Sequence, residues 1–381
     1  MVTATAFGLG GCVSLPEWRR EPTPEPTPTS WEMAGGNAHN TSRLTTTAGS
    51  QIGDAAWRRS PGSQFASPLV TTTELGLVHT QSTVFGFDKA DGTVAFTHSL
   101  PGGVAAAPAV TDSLVVVPRD TVGEGFDQID LDTPTVYAID HETGRRAWEH
   151  TVDGSFLASV TVADDIYVQS DREVHRLTAN GTAVWRHSFE QPFDLQKIVS
   201  YIRPVVGSDA VYVVHRGGVI RLDRATGEVQ WTRSAWEADF PPVVVDETTL
   251  LASTGDAVVG VHPDDGRVRW RIDESPAWGP AVTDAVAVFD IDDGGLLGVD
   301  PTAGEEQWRT EDGHTICPPV VASGSVFTGG TTLSAVDTAT GDRVDTRDVR
   351  TSVNWITPDA DGLLVRESTL GGPGIKRYSL R

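Results

Sequence analysis

Asp290-Ile291-Asp292-Asp293-Gly294-Gly295 comes nearest to a metal site in this sequence. Alternating carboxylates ahead of a glycine turn can offer oxygen ligands to calcium. The segment lacks the glutamate that closes a full calcium loop. Acidic runs also arise often in a chain with 52 Asp and Glu against 29 Lys and Arg, so a solvated turn competes with the metal reading. Nucleophilic chemistry has less to stand on. The ten histidines are dispersed, and His39, His79, His98 and His314 show no Asp-His-Ser grammar along the chain. Cys317, in Ile316-Cys-Pro-Pro-Val-Val321, reads as a small buried hydrophobe at the start of a strand. No Cys or His pair has metal-ligand spacing. No catalytic residue, cofactor-binding residue or bound cofactor is expected; calcium at Asp290, Asp292 and Asp293 is the one metal the residues suggest.

Cys12 is the other cysteine. It follows a short run of small residues, Ala4 to Gly11, ending Leu9-Gly10-Gly11-Cys12. This resembles a lipobox, where a peptidase cuts before a cysteine whose thiol then carries lipid. The basic region that usually precedes such a signal is missing, as a start upstream of Met1 would explain. A chance cysteine in a disordered terminus is the plainer reading. Glu21-Pro-Thr-Pro-Glu-Pro-Thr-Pro-Thr-Ser30 follows. Proline at every second position forbids helix and sheet and favours an extended spacer. Residues 1–30 are therefore expected to be a truncated lipoprotein-type signal and tether, and residues 31–381 one domain. Membrane contact would be through a lipid on Cys12 only, on an extracytoplasmic protein.

The formal net charge is −23, and only Lys89, Lys197 and Lys376 are lysines. Such a chain repels nucleic acid and anionic headgroups, which excludes both as partners of the folded body. Abundant Asp with scarce Lys also suits a protein kept soluble in high salt by a hydrated acidic surface.

The elements that would position any site are repeats. Val136-Tyr-Ala-Ile-Asp140-His-Glu-Thr-Gly144-Arg-Arg-Ala-Trp148 reads as a strand, a tight turn and a second strand ending on tryptophan. Gly144 can take the positive φ of the turn, and Asp140 can cap its amides. The glycine and the residue four places later recur as Gly53 and Trp57, Gly92 and Phe96, Gly144 and Trp148, and Gly181 and Trp185. They continue as Gly227 and Trp231, Gly266 and Trp270, Gly304 and Trp308, and Gly341 and Asp345. The intervals are 39, 52, 37, 46, 39, 38 and 37 residues. Each interval also holds two earlier strands, the first with an early proline. Four short antiparallel strands per unit make a propeller blade. The first fragment supplies one strand ending at Trp57, and the last supplies three without a fourth. Pairing them closes an all-β, eight-bladed ring without free edges.

The pattern breaks in four places. Phe96 and Asp345 replace tryptophan. The 52-residue interval carries an acidic insertion, Pro118 to Pro134, and the 46-residue interval carries one from Phe189 to Tyr201. Long loops on a rigid scaffold are where binding concentrates.

Val-x-Ala-x-Asp-x-x-Thr-Gly-x-x-x-Trp resembles the repeat of the PQQ-like β-propellers, the quinoprotein alcohol dehydrogenase-like superfamily. Residues 136–148 match it throughout, and Ile220-Arg-Leu-Asp223-Arg-Ala-Thr-Gly227-Glu-Val-Gln-Trp231 nearly so. The resemblance implies eight blades with tryptophans docking neighbours. It also implies two functional classes. The enzymes stack a quinone under adjacent cysteines and bind calcium or a lanthanide through Glu, Asn and Asp; this chain has no adjacent cysteines. The BamB-like branch is non-enzymatic, assembles envelope proteins and shares the lipobox-like start. The expected function is thus a non-catalytic scaffold binding other envelope proteins. A PQQ-dependent dehydrogenase, or a glycan or small-ligand binder using the channel mouth, is the alternative.

Overall fold

The computed structural model describes residues 30–46, 48–60, 68–80, 82–100, 106–119, 133–190, 202–234, 236, 240–291, 294–311, 315–349, 352–369 and 372–381. Every regular element among them is a strand, and the strands form eight sheets, each built on a four-stranded antiparallel blade. Blade 1 runs from Val70–Thr71 through Leu75–His79 and Thr83–Asp88 to Val94–Ser99. Blades 2 to 7 start at the inner strands Ala109–Val110, Thr161–Val162, Val205–Val206, Val243–Val244, Ala281–Val282 and Val320–Ala322. Blade 8 closes the ring. Its first three strands, Ser352–Asp359, Gly362–Thr369 and Gly372–Leu380, are C-terminal, and the N-terminal strand Ile52–Arg59 is its fourth. Ile52 pairs with Leu380 and Arg59 with Ile375.

The reason the repeat forms a ring is visible in its tryptophans. The indole N–H of Trp57, Trp148, Trp185, Trp231, Trp270 and Trp308 donates to the carbonyls of Lys89, Ala179, Arg224, Pro263, Pro301 and Thr338. Each acceptor lies in the turn before the outer strand of the next blade. Turn glycines leave room for the indole: a Cβ on Gly181 would come within 2.7 Å of Trp148, and one on Gly227 equally close to Trp185. Gly227 has φ 76° and Gly144 φ 66°, the left-handed turn that favours glycine. Asp140 accepts the Thr143 amide at 2.7 Å, and Asp223, Asp300 and Asp337 cap their turns in the same way.

Both broken repeats have a physical reason. Phe96 cannot donate, so His98 does: its Nδ1 lies 2.7 Å from the Gly144 carbonyl, joining blades 1 and 2. Asp345 faces blade 8, where the third and fourth strands come from opposite chain ends and no glycine turn exists. Its carboxylate accepts the Ile52 amide at 2.7 Å and anchors the closing strand instead. Gly53 differs from the other repeat glycines for the same reason. It lies inside the strand Ile52–Arg59, with no turn before it.

Residues 31–44 do something the repeat gave no sign of. They circle the hub of the ring. The carbonyls of Trp31, Glu32, Ala38, His39, Thr41 and Ser42 accept the amides of Thr71, Val110, Val206, Val244, Val282 and Val321. These donors belong to the inner strands of blades 1, 2, 4, 5, 6 and 7, met in ring order. Met33 packs into the core cluster shared by blades 2 and 3. Arg43–Leu44 then pairs in parallel with the inner strand of blade 7. Inner-strand amides buried at a hub need acceptors, and this thread supplies them.

Candidate functional site

The thread lies toward the end of the inner strands where the chain turns into the second strands. Toward the opposite end a well of about 470 Å³ opens. Its floor is the thread itself, through Trp31, Ala34, Gly35, Asn40 and Ser42. Its wall comes from the segments leading into the inner strands of blades 4 to 7, Arg203, Phe240 with Pro241, Ser275 to Pro280 with Trp278, and Pro318, and from Trp355 inside the first strand of blade 8. Early prolines mark several of these inner strands, and they suit a position that donates no amide to a ladder.

Arg203 is the one charged residue among the described lining residues. It is 2% exposed. Its Nη2 donates to the Asn40 side-chain oxygen, and its Nε has no hydrogen-bond partner. Burial draws its guanidinium down to about 9, with no charged neighbour among the described residues contributing. Asn40 is held by its own donors, which reach the Pro241 and Pro242 carbonyls at 3.0 and 3.1 Å. Gly35, at φ 73°, leaves the space a Cβ would take from the guanidinium. The Trp31 indole N–H is likewise buried without an acceptor.

The sequence candidates are placed elsewhere. Asp290 is buried at the end of a blade 6 strand, where the Thr315 hydroxyl donates to it. Asp292, Asp293, His314, Cys12 and most of both insertions lie outside the described residues. Among the described residues no group of three His, Cys, Asp or Glu side chains is placed to hold a metal. Cys317 is fully buried; its thiol is directed at the Gly329 carbonyl and burial pushes it up to about 12, which leaves no thiolate at neutral pH. His39 pairs with Glu247 at 3.2 Å, and both ring nitrogens of the buried His79 lie near carbonyls.

A hydrogen-bonded chain escaped the sequence reading. His150 Nε2 lies 2.9 Å from His175 Nδ1, and His175 Nε2 lies 2.8 Å from Glu173. Ser188 donates to the same Glu173 rather than to a histidine, so no nucleophile–base pair results. The chain ties blade 2 to blade 3. The thread and Arg203 were also missed, since a Gly- and Asn-rich segment has no strand period and one arginine among many has no distinguishing spacing.

The family model described as "Outer membrane protein assembly factor BamB" matches residues 131–239 and 215–355, more than half of the chain. The chain belongs to this PQQ-like propeller family. No curated protein matches it in sequence. Among solved structures it is similar to BamB from Moraxella catarrhalis, with TM-score 0.68, 16% identity, and coverage of 86% of this chain and 100% of that one. A europium-containing methanol dehydrogenase gives TM-score 0.68 at 12% identity, covering 92% and 98%. The quinohemoprotein alcohol dehydrogenase from Comamonas testosteroni gives 0.67 at 12%, covering 93% and 81%. At these identities the likeness carries the fold alone.

The dehydrogenase likeness raises a quinone held with a metal, and the well is where a central ligand would sit. The described residues do not fit that pair. They bring one cation and no carboxylate to the well, and the one cysteine among them is sealed against Gly329.

Proposed function

We propose that this propeller is a non-catalytic protein-binding or assembly scaffold at the cell envelope, held there by a lipid on Cys12. Membership of the BamB family carries the reading. The path of the thread supports the anchor. Trp31 sits at the hub, so a tether ending at Ser30 leaves from the axis of the ring rather than its rim. A proline-rich spacer of ten residues spans roughly 30 Å when extended, enough to hold a folded ring clear of a surface.

The acidic chain suits a partner with a basic face, and high salt would weaken such an encounter by screening. The strand ends that flank both insertions, Arg119 with Thr135 and Ser188 with Val205, belong to the face on which the well opens. That face is the proposed docking side.

Crosslinking and pull-down of the tagged chain from its own envelope tests the scaffold reading. Defined envelope proteins recovered with the wild type, and lost on charge reversal of the well face, are the expected result. Recovery of none overturns it. Lipid labelling of wild type against Cys12→Ser, expressed from the upstream start, tests the anchor separately. The competing dehydrogenase reading rests on the shared fold. It predicts dye reduction by alcohols or aldoses when PQQ and calcium are added, and turnover there would replace the scaffold reading.

A further inference from the structure

Two of the four asparagines in this chain open an Asn-x-Ser/Thr triplet: Asn40-Thr41-Ser42 and Asn180-Gly181-Thr182. Such a triplet is the acceptor for an N-linked sugar in an exported protein when the asparagine lies on the surface. The fold separates the two. Asn40 is buried at the hub, and its amide nitrogen is occupied by the Pro241 and Pro242 carbonyls. Asn180 is exposed, in the turn between the third and fourth strands of blade 3, Glu173–Leu177 and Ala183–Ser188.

This turn departs from the repeat in ways that bear on the acceptor. The matching turn of each other blade from 1 to 7 carries an aspartate: Asp91, Asp140, Asp223, Asp265, Asp300 and Asp337. Blade 3 has none between Leu177 and Ala183. The Asn180 side-chain oxygen takes the capping place instead, accepting the Thr178 hydroxyl and, at 3.3 Å, the Thr182 amide. That bonding engages the oxygen and leaves the nitrogen. Neither Asn180 Nδ2 nor the Thr182 hydroxyl bonds to a described residue, and both residues are exposed. The turn does not dictate them either. Ala303 holds the place of Asn180 in blade 6, and Arg145 holds that of Thr182 in blade 2. Gly181, at φ 80°, is the member of the triplet that the turn requires.

We infer that Asn180 carries an N-linked oligosaccharide. In the transfer, Asn180 Nδ2 bonds to the anomeric carbon of a sugar held on a polyprenyl phosphate. The bond from that carbon to the phosphate oxygen breaks, the electron pair leaves with the phosphate, and one amide proton passes to a base of the transferring enzyme. The inference rests on the envelope reading, since the chain must leave the cytoplasm to meet that enzyme. The turn lies at the thread end of blade 3, opposite the face on which the well opens. A glycan there covers the point where Trp148 docks on Ala179 and leaves the proposed docking face clear.

Mass spectrometry of the chain isolated from its own envelope tests the inference. Trypsin releases Leu177–Arg186, which holds this triplet and no other. The peptide is expected to carry a sugar chain on Asn180, and Asn40 to be bare. Asn180→Gln and Thr182→Ala should each abolish the modification, while Thr182→Ser should keep it. All three positions are exposed in a turn that tolerates other residues, so the variants should melt with the wild type. An envelope-borne chain whose peptide has its plain mass overturns the glycan and leaves the scaffold reading standing. Conversion of Asn180 to aspartate alone, the mark of deamidation at an Asn-Gly bond, overturns it too. So do sugars that persist in Asn180→Gln, which would lie on the threonines. A chain found only inside the cell overturns both readings.

Discussion

The Lys89 ammonium lies 2.6 Å from the Asp359 carboxylate, and both side chains are buried. Lys89 follows the third strand of blade 1, and Asp359 ends the first strand of blade 8, so the pair joins blade 1 to the closing blade. Lys89 also donates to the Thr72 carbonyl, and its own carbonyl accepts the Trp57 indole. A second lysine serves the same blade: Lys376 lies 2.7 Å from the buried Glu367, which also accepts the Tyr378 hydroxyl. In a chain with three lysines, two hold the closing blade.

Removal of one partner from a buried pair leaves the other charge unmatched and costs about 3–5 kcal/mol. Arg377 lies 3.5 Å from the same Asp359 and offsets part of that. Lys89→Met is therefore expected to lose about 3 kcal/mol of unfolding free energy in urea titration. Lys89→Arg should recover part of the loss. A shift in midpoint no larger than that of an exposed lysine would show that packing between blades 1 and 8 holds that boundary without the ion pair.

A glycine packed against the neighbouring blade and one in an open turn give a sharper comparison. Gly227 and Gly324 both have positive φ, 76° and 72°. A Cβ on Gly227 would press on Trp185 at 2.7 Å, whereas one on Gly324 meets nothing within 4 Å. The left-handed backbone alone costs an alanine roughly 1–2 kcal/mol. Overpacking adds about 1–3 kcal/mol. Gly324→Ala should thus lose about 1 kcal/mol and Gly227→Ala about 3 kcal/mol, measured by chemical denaturation. Equal losses would mean that the indole shifts without cost.

The repeat grammar was legible because it is local. A strand, an Asp-capped glycine turn and a tryptophan lie within thirteen residues, and each acts on its own blade or the next. The closing blade could be counted from the two incomplete fragments. The thread was not legible, because its register comes from acceptors that six other blades need, and nothing in Trp31 to Leu44 encodes them. Arg203 was hidden for a related reason. Its meaning lies in what surrounds it, and its described surroundings come from the thread and five blades. The Asp290 segment shows the reverse. Its spacing suggested ligands, yet Asp290 itself is folded inward against Thr315.

Acid should weaken the ring through His79. Burial pulls its imidazole from 6.5 down to about 4, against the opposing pull of the Thr80 and Ala106 carbonyls. The unfolded chain takes up this proton below about pH 6.5, while the folded ring resists until about pH 4. Stability is therefore fully present above pH 6.5 and falls as pH drops through that window. The shift corresponds to about 3 kcal/mol. Urea titrations from pH 8 to pH 4, comparing wild type with His79→Gln, measure it as the difference between two slopes. Parallel curves would remove His79 as the cause and leave the carboxylates to account for acid loss.

Asn40 is the pin of the hub. It takes φ 65°, which asparagine tolerates better than most residues. Its side chain donates to two carbonyls before blade 5 and accepts from Arg203. Asn40→Ala strands those buried groups at about 1–3 kcal/mol each and adds strain at a positive φ. The expected loss is about 4 kcal/mol in chemical denaturation, larger than for any single turn capping residue. Asn40→Gly should relieve the backbone cost but not the polar one, so its loss falls between. Hydrogen exchange gives an independent readout. The amides of Val206, Val244 and Val282, protected by the thread, should exchange faster in Asn40→Ala, while strand amides near the rim keep their protection. Uniform acceleration across the ring would instead make the thread part of one cooperative unit with the blades.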